Sequence, residues 1–112
     1  MYATIYVDGS GSMEALSFVM KAFAPLCDEL KRNFETESLD MSILLTPDQQ
    51  GEFFGPGELM IEIQSKDPAA DASTFAKDLS ALLQWLWDKN FRVVTSWDRE
   101  DLLPQRGRNT SI

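Results

Sequence analysis

Hydrophobic residues along this chain change their spacing in a fixed order, and that order limits the folds open to it. From Tyr2 to Val7, Ala3, Ile5 and Val7 alternate with Tyr2, Thr4 and Tyr6, the period of a half-buried strand. From Met13 to Phe34 the period lengthens. Leu16, Val19, Met20, Phe23, Leu26, Cys27, Leu30 and Phe34 form one helical stripe, with Pro25 on its far side as a kink that the core tolerates. Alternation returns over 38–45, where Leu39, Met41, Ile43 and Leu45 share a face, and over 59–64, where Leu59, Ile61 and Ile63 do. A second helical stripe runs Ala72, Phe75, Ala76, Leu79, Leu82, Leu83, Leu86. Asp67-Pro68 or Asp71 stands at its start and Asn90 at its end. Phe91, Val93, Thr95 and Trp97 close the pattern as a last strand.

The order β-α-β-β-α-β predicts an α+β, ferredoxin-like fold: a four-stranded antiparallel sheet with two helices on one face. Its strands would lie in the spatial order fourth, first, third, second. Residues 1–98 would form this single domain, and 99–112 a polar, frayed C-terminal tail. A chain of 112 residues is long enough for one such core without a disulfide or metal. No apolar run approaches the ~20 residues of a membrane span, and the first residues lack a basic leader segment. The lone Cys27 suits a reducing compartment, so a cytoplasmic location is expected.

Charge and missing residue types narrow the chemistry. The net charge is −8; without Glu100, Asp101, Arg99, Arg106 and Arg108 the first 98 residues carry 16 acids and 7 bases, or −9. Such a surface repels phosphate backbones and attracts basic partners. The chain contains no histidine, which removes the commonest general base and the commonest transition-metal ligand. Ser10 and Ser12 have no histidine or adjacent lysine to activate them, and Glu35/Glu37 and Glu100/Asp101 lie in polar flanks as solvated charge. The chain is therefore read as a non-enzyme without a cofactor.

One short segment has spacing that could carry specific chemistry. Asp8-Gly9-Ser10-Gly11-Ser12 follows the first strand and precedes a helix, and its Asp-x-Ser-x-Ser pattern offers hard oxygens to Mg²⁺. The stretch Tyr6 to Met13 resembles the site loop of von Willebrand factor A-type domains. That resemblance implies metal ligation by Asp8, Ser10 and Ser12, completed by a threonine and an aspartate from later loops. Thr46 and Asp98 are the candidates for those two positions. In an antiparallel ferredoxin-like sheet, however, Asp98 falls at the end opposite Asp8. The plainer reading of the same residues is a tight turn with a serine helix cap.

A second set of residues points to protein binding. The loop before the third strand contains Asp48, Glu52, Phe53 and Phe54, two aromatics beside acids in a Gly/Pro-rich stretch. Phe18 and Trp85 fall outside their helical stripes, by about 160° and 120° at 100° per residue. Tyr2, Tyr6, Leu44, Met60 and Val94 share the outer sheet face with Asp40 and Glu62. Composition and fold analogy together favour a small acidic domain that masks a basic partner. An immunity protein for a bacterial toxin, or a phage inhibitor of a nucleic-acid-handling enzyme, fits that description. Competing uses are a self-associating structural or regulatory domain, a homodimer included, and a divalent-metal module built on Asp8, Ser10 and Ser12.

Overall fold

The computed structural model describes residues 1–8, 12–27, 32–45 and 58–108. Six strands and two long helices follow in the order β1 (Tyr2–Val7), α1 (Ser12–Phe23), β2 (Leu26–Cys27), β3 (Asn33–Glu35), β4 (Leu39–Leu45), β5 (Leu59–Ser65), α2 (Ala72–Asp88) and β6 (Val93–Ser96). All neighbouring strands pair antiparallel, in the spatial order β2-β3-β4-β5-β1-β6. The molecule is thus α+β, with two helices and an antiparallel sheet. The four strands read from alternation (β1, β4, β5, β6) lie side by side in the expected order.

Four strands is an undercount. Beyond β4 the sheet continues into β3 and the two-residue β2, both drawn from the segment expected to prolong the first helix. Pro25 does not kink that helix; the helix stops at Phe23. Proline disfavours α geometry in the residue before it and has no N–H for the next helical bond, so Ala24 is the last amide to reach back, to Met20 O at 2.7 Å. Phe34 is fully buried as expected, but as the central residue of β3, between exposed Asn33 and Glu35. A single buried aromatic fits either period, which is why the helical stripe absorbed it. Of the same stripe, Leu26 and Cys27 form β2, and Leu30 lies outside the described residues.

The β3–β4 turn contains no glycine or proline. Thr36 makes it instead: its hydroxyl accepts from the amides of Ser38 (3.3 Å) and Leu39 (3.1 Å), and its own amide donates to Leu39 O at 3.0 Å. At the start of α2 the Asp71 side chain accepts from the Thr74 amide at 2.8 Å, so Asp71 is the cap. Before it, Asp67 closes a turn by accepting from the Ala69 amide at 2.8 Å. Helix α2 ends as its sequence implies. Asn90 adopts a left-handed φ of 67°, its amide donates to Trp87 O and the Phe91 amide to Leu86 O, the paired bonds of a Schellman motif.

The core lies between the sheet and both helices. Ala3, Ile5 and Val7, Met41 and Ile43, and Ile61 and Ile63 meet Leu16 and Met20 from α1 and Phe75, Leu79, Leu82, Leu83 and Leu86 from α2. Residues 99–108, read above as tail, form a 3₁₀ turn, Glu100–Leu102, and a left-handed turn over Pro104–Gly107. Leu103 is 5% exposed and joins the core. Arg108 bridges to Val94 beside β6, and the Thr95 hydroxyl donates to Gly107 O at 3.0 Å. Gln105, Arg106 and Gly107 are successive left-handed residues, with φ of 51°, 55° and 75°. A Cβ on Gly107 would stand 2.6 Å from Thr95 Cβ.

Candidate functional site

The two ends of the sheet are chemically different. At one end β1 finishes beside the start of β6, and Asp8 and Arg92 meet there. The Asp8 amide donates to Arg92 O at 3.0 Å, and its carboxylate lies 3.4 Å from the Arg92 guanidinium. A cation supplied by the chain itself therefore already faces the carboxylate that the Asp-x-Ser-x-Ser pattern offered to Mg²⁺. Ser10 and Thr46 lie outside the described residues, and Ser12 is described only as the first residue of α1. Val7 pairs with Val93 and Thr4 with Ser96, so Asp98 lies toward the far end of β1, as the antiparallel sheet implied. Among the described residues no group of three or more His, Cys, Asp or Glu converges as a metal site.

At the opposite end a groove opens between the Thr36–Ser38 turn, the loop before α2 and the start of α2. One cavity, 410 Å³, is bordered by Glu37, Asp67, Asp71 and Asp78, with Phe75 and Thr74 on the helix side. A second cavity of 290 Å³ continues it along Leu39, Ala81 and Phe23. A third, of 410 Å³, passes Phe23 and Pro25 toward Glu35 and Lys66. All three share Glu37, and the floor is apolar where Phe23, Leu39 and Phe75 contribute. Lys66 is the one basic residue among the lining residues of these cavities, and it is bound to Glu35 at 3.4 Å.

Local surroundings shift the titration of two acids at this end. The Thr74 backbone amide, joined by its side chain, holds the Asp71 carboxyl below the usual carboxylate value of 3.8. Asp40 stands directly across from Glu35 in the β3–β4 ladder. Partial loss of solvent raises its pKa, then a hydrogen bond to Glu35 and that residue's negative charge raise it further, with Lys66 opposing. Like charges opposite each other in a ladder oppose strand pairing.

Of the residues expected to bind a partner, Asp48, Glu52, Phe53 and Phe54 lie outside the described residues. Trp85 is half-buried and joins the helices. Its indole N–H donates to Val19 O at 3.1 Å, its ring lies 5.9 Å from that of Phe23, and Lys89 Nζ stands 4.8 Å from its centroid. Phe18 is 78% exposed, as its position off the helical stripe implied. Tyr2, Tyr6, Leu44, Met60, Asp40 and Glu62 share the outer sheet face by register. Val94, on the same face, is only 2% exposed, with Arg108 bridged to it.

No local sequence signal marks the groove. Glu37 and Asp78 carry no motif, and Glu37 lies in a polar flank as solvated charge. The one available signal was the seven-residue spacing of Asp71 and Asp78, which places both on one side of α2.

Compared with protein-family models, curated proteins and solved structures, the chain matches none. The class of the molecule is therefore defined by its own geometry: a two-layer α+β fold with an acidic groove at one end of the sheet. No helix among the described residues is long and apolar enough to cross a membrane.

Proposed function

We propose that this chain is a small acidic binding domain that masks a basic surface of another protein, and that the groove beside Glu37 and Asp78 is where it does so. The observation that carries the reading is the combination of carboxylates on the rim with an apolar floor. An arginine or lysine side chain has the matching profile, an alkyl stem that packs on Phe23 and Ala81 and a cationic head that reaches carboxylates. The hydrogen bonds from Thr74 favour the ionised form of Asp71. A net charge of −8 supports fast encounter with a basic partner. The strands β1, β4, β5 and β6 with the two helices support a ferredoxin-like core, extended by the β2–β3 hairpin. Immunity toward a toxin, or inhibition of a nucleic-acid-handling enzyme in a cytoplasmic setting, is the biological role that such a surface suits.

The test uses an arginine-rich peptide as probe. Glu37→Lys combined with Asp78→Lys should slow its association by about tenfold at low salt, an effect lost as salt screens the charges. Equal rates for the variant and the original chain would contradict the groove.

A further inference from the structure

The groove leaves the outer face of α1 unused, and that face differs from the rest of the surface. Its exposed residues are Glu14, Ala15, Phe18, Lys21 and Ala22. Phe18 is 78% exposed, the highest value among the exposed large hydrophobics of the described residues. The only charges on α1 are Glu14 in its first turn and Lys21 in its last, so this face is neutral on a chain of net charge −8. Around the helix, at 100° per residue, Phe18 occupies the middle, Ala15 and Ala22 one flank, and Glu14 and Lys21 the other. Val19, Phe23 and Trp85 border it as half-buried apolar residues.

This layout is complementary to itself. A two-fold axis perpendicular to the helix at Phe18 lays a second α1 antiparallel on the first and keeps each flank on its own side. Glu14 then meets Lys21 of the other copy, twice. The seven-residue step from Glu14 to Lys21 spans about 10.5 Å of helix, centred within one residue of Phe18. On the opposite flank Ala15 meets Ala22, where small side chains permit the 8–10 Å approach of packed helices. The two Phe18 rings meet on the axis. Neither Glu14 nor Lys21 has an ion-pair partner among the described residues.

We infer that the outer face of α1 is a homodimer interface, an isologous antiparallel pairing of α1 with α1 in which Phe18 is the anchor and Glu14 and Lys21 set the register. A second copy is the occupant that the charge arrangement selects, because one helix carries both halves of each ion pair in mirrored order. A single helix pair is a small interface, so the dimer is weak, with a Kd on the order of 100 μM. The two grooves then lie at opposite ends of the dimer.

Sedimentation equilibrium over a range of concentrations tests this. The original chain should reach the dimer mass at high concentration. Phe18→Asp should be monomeric throughout, with an unchanged far-ultraviolet spectrum because the ring is exposed. Ala22→Arg, which adds bulk to the close flank, should also be monomeric. Glu14→Lys and Lys21→Glu should each weaken association about tenfold, since each places two like-charge pairs in the interface. The double reversal Glu14→Lys/Lys21→Glu should restore it. That restoration separates the interface from a helix-dipole role, because the double reversal opposes the dipole and lowers the melting temperature. A monomeric original chain at about 1 mM, a dimeric Phe18→Asp, or a double reversal that stays weak would each overturn the proposal.

Discussion

Gly107 is the residue whose replacement the structure penalises most clearly. Its φ of 75° is in the left-handed region, and the space a side chain needs is occupied by Thr95. The two costs add, one for backbone strain and one for displacing β6 or the Leu103 turn. Gly107→Ala should therefore lower stability by about 2 kcal/mol, read as a drop in the urea midpoint at constant slope. An unchanged midpoint would mean that residues 104–108 are not held against β6. Asp40 has the opposite sign. A carboxyl with a raised pKa holds its proton more tightly when folded than when unfolded. Its ionisation therefore weakens the fold as pH climbs above 3.8, and that loss is complete at neutral pH. Asp40→Asn should raise the melting temperature at pH 7, and the gain should vanish near pH 3. A variant less stable at pH 7 would show that the Glu35–Asp40 pairing does not oppose β3–β4 association.

Elements were legible where period and boundary signals agreed. Strands β1, β4 and β5 alternate without interruption because only one of their faces meets the helices. Helix α2 has a stripe, an Asp71 cap and an Asn90 stop that reinforce each other. The segment 24–38 misled for physical reasons. Strands of two and three residues are too short to show a period, Phe34 satisfies both periods, and Pro25 permits either a kink or an end. The turn that would have announced a hairpin is built by a threonine hydroxyl. Its importance can be measured: Thr36→Val keeps the shape, leaves two amides without their acceptor, and should cost about 1 kcal/mol. A neutral Thr36→Val would show that water replaces the hydroxyl at no cost. The groove was illegible for a related reason. Phe23, Glu37 and Asp78 come from α1, a hairpin turn and α2, and no stretch of chain holds them together.

Across the whole molecule, charge and shape divide the surface into regions with different uses. One end of the sheet closes on the Asp8–Arg92 pair, a contact that occupies the first member of the metal pattern with a guanidinium. The other end gathers Glu37, Asp67, Asp71 and Asp78 around an apolar floor. The helical layer shows a neutral strip with Phe18 at its centre. The central claim is that the acidic end receives a basic side chain. The most direct measurement is a titration of the ¹⁵N-labelled chain with an arginine-rich peptide, followed by amide chemical shifts. Shifts should concentrate on Thr36–Ser38, Lys66–Asp71 and Asp78 and fade with added salt, while the amides around Asp8 and Arg92 stay in place. Shifts scattered over every acidic residue, or confined to the Asp8 end, would contradict the account.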